Sequence, residues 1–336
     1  MRARSCQWAA VSAVFSCLIL AVPAAGQPDG ADPLPSWSDG ATKRAVLDFV
    51  RAATDKASPQ YVPPAERIAT FDQDGTLWVE QPLYTQVMFA LDRVKALTPK
   101  HPEWKDKEPF KTILTGDHEV MAKFTIQDFE VILAETHSGM TIDEFHALVK
   151  DWLATAEHPR FKRPYTELVY QPMLEVMRHL RANGFKTYIV TGGGQEFVRV
   201  YAEAVYGVPP EQVIGTAAQT KYESRDGKSV LVKRPEVLLI DDKGGKPEGI
   251  NFVIGRRPVA AFGNSDGDRE MLEYAQGGSG RLMMLVHHDD ARREYAYGPK
   301  SKIGAFSDGL TAEATKRGWT VISMKNDWKR SFSFEQ

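Results

Sequence analysis

The stretch Thr70-Phe71-Asp72-Gln73-Asp74-Gly75-Thr76-Leu77 constrains this chain more than any other. Two carboxylates stand two residues apart, directly after the apolar run Ile68-Ala69-Thr70-Phe71 and directly before a glycine. If that run is a strand, Asp72 and Asp74 lie at its carboxyl end, where open α/β sheets place their ligands. Residues two apart on an extended backbone point to the same side, so like charges would face each other. A bound cation or a shared proton relieves that repulsion. Gly75 permits a sharp turn, and Thr76 can hydrogen-bond the turn back on itself. Taken alone, the segment reads equally well as an acidic turn capping a helix.

Residues 1–26 carry Arg2 and Arg4, an apolar run from Trp8 to Val22, and the small residues of Pro23-Ala24-Ala25-Gly26. That order reads as a secretory signal peptide, and the run is short for a transmembrane helix. No later stretch is apolar for long enough to span a bilayer. Export to the periplasm or the medium is therefore expected. Both cysteines, Cys6 and Cys17, lie in this leader, so the mature chain is expected to rely on its core rather than on disulfides. Lipid attachment at Cys17 is the minor alternative, with bulky Phe15 just before it. The sequence has 42 Lys and Arg against 44 Asp and Glu and no basic block, which argues against a nucleic-acid partner.

A Pro/Gly/Asp-rich linker over 27–39 follows. Residues 42–56 carry Ala45, Val46, Phe49, Val50 and Ala53 at helical spacing. Between 83 and 161, apolar clusters at 87–91, 120–124, 129–133 and 145–153 look helical, with no convincing strand. Thr141-Ile142-Asp143-Glu144 has the pattern of a capping box. This segment reads as a helical insert with its own core, and 40–82 with 162–336 read as one α/β core. From Pro172 onward the sequence predicts helix 173–183, strand 186–191, helix 195–206, a helical stretch from Lys246, strand 259–262, helix 269–274, strand 282–286 and strand 320–324. Such alternation implies a parallel sheet covered on both faces. Short apolar runs near Val213 and Val237 flank Asp226-Gly227 and suggest a small hairpin. His287 and His288, adjacent at a strand end, point opposite ways, so a strand terminus is preferred there to a metal pair.

Three strand ends carry polar or glycine-rich clusters: Asp72/Asp74, Thr191-Gly192-Gly193-Gly194, and Asn264-Ser265-Asp266-Gly267-Asp268. A parallel sheet brings its carboxyl ends to one edge, where such clusters can converge. The glycines offer backbone N–H groups to a phosphate-sized anion. Together these segments resemble the haloacid dehalogenase superfamily, most closely its phosphoserine-phosphatase-like branch. Asp72-Gln73-Asp74-Gly75-Thr76 fits the first motif and Thr191 the second. Lys246 or Lys243 fits the third, and residues 262–272 fit the fourth. The resemblance spans about 68–285 and implies a Rossmann-like α/β core with the helical insert as its cap.

The resemblance further implies a Mg²⁺-dependent phosphomonoester hydrolase acting on a small-molecule phosphate ester. Asp72 would be the nucleophile, and Asp74 would protonate the leaving alcohol and then activate water. Thr191, Gly192 and Gly193 would hold phosphate oxygens, and Lys246 would add positive charge. Apart from the resemblance, Glu80 follows the first motif closely and reads equally as a substrate contact from the segment joining sheet and cap or as a solvated side chain. Lys246 is preferred to Lys243 and Lys233 because it precedes a helix leading into the fourth-motif strand. Mg²⁺ would take Asp72, the Asp74 carbonyl and a fourth-motif side chain. Asn264 stands where the family usually has Asp. It is expected to ligate through its amide oxygen, with Asp268 orienting Lys246 or a metal-bound water and with weaker metal affinity. A phosphotransferase of the same fold and a catalytically silent phosphate-binding protein are the alternatives.

Overall fold

Ile68, Ala69, Thr70 and Phe71 are all buried, as befits a central parallel strand covered on both faces. They form β1 (Ile68–Phe71) in a computed structural model that describes residues 31–116, 124, 126–277 and 280–335. The other strands are β2 (Lys186–Gly194), β3 (Val213–Arg225), β4 (Lys228–Leu239), β5 (Ala260–Gly263), β6 (Leu282–His287) and β7 (Thr320–Ser323). Their order is β4-β3-β2-β1-β5-β6-β7, parallel throughout except for β3–β4. Chain order reverses between β1 and β5, the switch point where such sheets bind ligands. Phe71 and Phe262 stack across that pair with ring centroids 4.4 Å apart.

Alternate residues of each strand serve opposite faces. Ile189, Ala260, Phe262 and Met284 join the core that includes Val46, Phe49 and Val50 of α1 (Ala41–Thr54). Val190, Ala261, Met283 and Leu285 join a second core beneath Ile250, Met271 and Leu310. The stretch 33–39, expected as linker, is instead packed down. Leu34 and Trp37 are fully buried, Trp37 meets Trp328 edge-on at 6.1 Å, and Ser36 Oγ donates to Glu175 Oε1 at 2.7 Å.

Between β1 and β2 lie α2 (Thr85–Leu97), α3 (Phe110–Thr115), α4 (Ile126–His137) and α5 (Ile142–Leu153). The capping box at Thr141 is formed in both directions, with Glu144 N on Thr141 Oγ1 and Thr141 N on Glu144 Oε2. Leu91, Val94, Trp104, Phe110 and Ile132 give this cap a core of its own. Residues 33–336 nevertheless form one compact unit.

Two further expectations need correction. The hairpin of β3 and β4 is not small: its strands run 13 and 12 residues and reach the cap. Gly139 N donates to Lys233 O at 3.0 Å, and Lys233 N donates to Met140 O at 2.8 Å. Most of its outer residues are exposed and polar, so no alternation announced it. The helix expected over 195–206 is two short ones, Gln195–Arg199 and Ala202–Tyr206. Tyr201 at the break is buried, its hydroxyl bonded to Gln73 Nε2 at 2.6 Å and its ring stacked on Trp78. The leader with Cys6 and Cys17, and all of the helix expected at 120–124 except Phe124, lie outside the described residues. Among the described residues no helix is long and apolar enough to cross a membrane.

Candidate active site

Beyond β1, Asp72 N still pairs with Phe262 O at 2.9 Å, and the chain then turns at Gly75 with φ +77°. A side chain there would overlap the Asn264 amide and the Glu80 carboxyl, so both the turn and the close approach require glycine. Trp78 Nε1 donates to Asp74 Oδ1 at 2.6 Å. His288 presents Nε2 to Gly75 O at 2.7 Å and Nδ1 to Glu294 Oε2 at 3.0 Å. The second histidine of the strand end therefore props the acidic turn.

Asp268 is fully buried. Its Oδ2 accepts from Asn264 N at 2.9 Å and Ser265 N at 3.0 Å, while Oδ1 accepts from Lys246 Nζ at 2.5 Å. The same Nζ donates to Asp72 Oδ1 at 2.6 Å. Burial opposes the Lys246 ammonium, but Asp268 and Asp72 outweigh it and raise its pKa. Burial, then the Asp268 charge, raises Asp72 against the pull of Lys246. Lys243 is exposed, just ahead of the helix Gly245–Val253 that carries Lys246, with φ +51°.

Thr191 is buried at the end of the regular part of β2, and its Oγ1 accepts from Gly193 N at 3.0 Å. A Cβ placed on Gly193 would stand 3.3 Å from Thr191 Oγ1 and 3.7 Å from Asp74 Oδ2, so the glycine run lies against the second carboxylate. Gly192 O accepts from Thr216 Oγ1 at 2.8 Å. β2 continues through the glycines instead of giving way at once to a helix, with Gly194 paired to Thr216. Gly194 N donates to Gln86 Oε1 at 2.6 Å, a cap residue that sequence reasoning missed. Its only signal was a polar side chain near the start of an apolar helix.

Glu80 lines the cavity yet is 2 % exposed. Its Oε1 accepts from Asn264 Nδ2 at 2.7 Å and from the Tyr297 hydroxyl at 2.5 Å. Asn264 Oδ1 accepts from Thr76 Oγ1 at 3.1 Å, and that hydroxyl also lies 3.4 Å from Asp72 Oδ2. The amide oxygen therefore faces the Asp72 side. Among the described residues no three His, Cys, Asp or Glu side chains are grouped to hold a metal. An ion here would depend on Asp72, the Asp74 carbonyl and the Asn264 amide oxygen, an oxygen-only set that suits a hard cation. Burial raises Asp74 to about 6 despite the Trp78 bond and Lys246. Crowded, buried carboxylates beside one ammonium leave a charge deficit that a cation would fill.

Asp72, Asp74, Glu80, Gln86, Thr191, the three glycines after it and Lys246 line one cavity of about 910 Å³ between the sheet edge, the cap and the hairpin, while Asn264 and Asp268 stand behind that lining. Residues 69–273 match the family model described as haloacid dehalogenase-like hydrolase, and the chain belongs to that family. Among solved structures it is similar to a protein of unknown function from Bordetella pertussis Tohama I, with 20 % identity over 76 % of this chain and 98 % of that one, at a TM-score of 0.48. A functionally unknown protein from Anaerococcus prevotii DSM 20548 shares 15 % identity over 88 % and 96 %, at 0.50. A phosphoserine phosphohydrolase-like protein from Francisella tularensis subsp. tularensis SCHU S4 shares 18 % over 67 % and 89 %, at 0.37. The comparison with curated proteins finds no match.

Proposed function

We propose that this chain is a Mg²⁺-dependent phosphomonoester hydrolase acting through phosphorylated Asp72. The observation that carries the reading is Lys246 Nζ, bonded to both Asp72 and Asp268 at the sheet edge where Asp74 and Thr191 also lie. Membership of a hydrolase family supports it. Mg²⁺ held by Asp72, the Asp74 carbonyl and Asn264 would neutralise charge on the phosphoryl group.

Asp72 attacks phosphorus, and an O–P bond forms as the ester O–P bond breaks. Asp74 gives its proton to the departing alkoxide, then takes one from the water that cleaves the acyl phosphate. Lys246 holds the Asp72 carboxylate in place, and Thr191 with the Gly192–Gly193 backbone steadies the phosphoryl oxygens. An acid is needed for an alkoxide leaving group and not for a halide, which favours ester hydrolysis. The basic, apolar leader supports action after export.

Release of inorganic phosphate from a panel of phosphomonoesters, with Mg²⁺ and with chelator, tests the reading. Metal-dependent release that Asp72→Asn abolishes while the fold is retained supports it. Phosphate appearing on an added alcohol instead of in solution identifies a phosphotransferase. No release by folded wild-type protein identifies a silent binder.

A further inference from the structure

The cavity's volume of about 910 Å³ lies near the top of the range of roughly 300–1,000 Å³ for small-molecule sites. Its floor is the charged cluster described above. Its walls are largely apolar: Val87 and Ala90 from α2, Ile132 from α4, Phe145 from α5 and Val237 from β4. A small polar ester would leave that wall wet, which gains nothing from apolar burial.

Lys233, Arg234 and Tyr84 also line the cavity, and one further polar side chain, His137, is set among the aromatic residues of the cap. His137 is 4 % exposed and lies between Phe89 and Phe145, at 5.3 and 5.2 Å between ring centroids. Its Nδ1 is 2.7 Å from Thr136 Oγ1 and 3.3 Å from Leu133 O. The Thr136 hydroxyl donates to Ile132 O, so its oxygen accepts and Nδ1 carries the ring proton. Nε2 is left as an acceptor, buried without a hydrogen-bond partner among the described residues. Burial, reinforced by the nearby Lys233 charge, keeps the ring neutral. Lys233 is held over the Phe145 ring, 4.4 Å from its centroid, by the hairpin's bonds to the cap. Buried acceptors are normally paired, so this one calls for a partner from a ligand.

We infer that the site takes phosphomonoesters of bulky, mainly apolar alcohols that carry a hydroxyl or N–H group donating to His137 Nε2. The inference rests on the phosphatase reading for its chemistry, whereas the cavity's preference can be measured separately. The phosphate sits on the charged floor, the apolar body fills the wall of α2, α4 and β4, and the donor meets the imidazole.

Kinetics with Mg²⁺ on O-phosphoserine, naphthyl phosphate and hydroxyl-substituted naphthyl phosphates test it. Naphthyl phosphate should exceed phosphoserine in kcat/KM by at least tenfold, and the best-placed hydroxyl should add a further severalfold gain, mainly in KM. His137→Phe, which keeps the aromatic packing, should erase the hydroxyl gain and spare the naphthyl preference. Val237→Gln, at a partly exposed wall position, should shrink the naphthyl preference. Equal or better turnover of phosphoserine, or a hydroxyl gain that persists in His137→Phe, overturns the inference. If no ester is cleaved, the phosphatase reading fails, and calorimetry with naphthol and dihydroxynaphthalenes decides the pocket. Tighter diol binding lost in His137→Phe then supports the inference, and no binding overturns it.

Discussion

Glu80 Oε1 accepts a 2.7 Å hydrogen bond from Asn264 Nδ2, so a buried carboxyl group orients the amide that stands at the fourth-motif position. The bond turns the amide nitrogen away from Asp72 and the oxygen toward it. The carboxyl group absent from residue 264 stands instead on its hydrogen-bond partner, where burial raises its pKa well above the usual carboxylate range.

Asn264→Asp therefore sets two carboxyl groups against each other at that distance. Without metal the variant should lose about 1–3 kcal/mol of stability. Mg²⁺ should restore part of it. Thermal unfolding in chelator and in Mg²⁺ measures both effects, and Glu80→Gln in the same chain should rescue the metal-free protein. A variant as stable as wild type in chelator would show that the pair does not act as described.

Lys246→Met should cost about 3 kcal/mol or more, because Asp72 and Asp268 would remain buried without their shared cation. Phosphatase activity should fall to background. Lys243→Met, at an exposed position, should stay within about 0.5 kcal/mol of wild type. Urea unfolding of the two variants separates the lysines, and equal losses would refute the distinction.

Gln86→Ala removes the acceptor of Gly194 N and loosens the glycine loop from the cap. A tenfold fall in kcat/KM is expected, about 1.4 kcal/mol, with little change in melting temperature. An unchanged kcat/KM would mean that the loop holds its shape unaided.

His137 has a distinct acid signature. Burial, then Lys233 and Arg93, lower its pKa from 6.5 to about 3 in the folded chain, against the bond to Leu133 O. Between those values the unfolded chain binds a proton that the folded chain does not, so stability falls as pH drops through that window. The slope contributed is up to about 1.4 kcal/mol per pH unit. The stability difference between wild type and His137→Phe, followed from pH 7 to 4, should shift in favour of the variant. A constant difference would place the proton elsewhere.

The acidic turn, Thr191 and the Asn264–Asp268 loop were legible because each follows an apolar strand, and the sheet alone brings strand ends together; Lys246 was preferred to Lys243 only from its place before a helix leading into the fourth-motif strand. Glu80 was legible as a nearby acid but not as the partner of Asn264, since that contact is set by the packing of Gly75 and Tyr297 around it. Gln86 and His137 were not legible. Each is one polar residue on an apolar helix, and its meaning comes from a loop or cavity distant in sequence. The hairpin was expected at Asp226-Gly227 but its length escaped for the opposite reason: long strands whose side chains face water carry no hydrophobic period.

The bonds of Gly139 and Lys233 tie the loop between α4 and α5 to strand β4. The lid and the rim of the sheet must then travel as one piece, and admission of a ligand cannot be a flap swinging on the two chain crossings alone. Whatever opens the chamber has to flex the long ribbon of β3 and β4 or break its splice to the helices. That splice lies at a margin of the molecule that performs no chemistry.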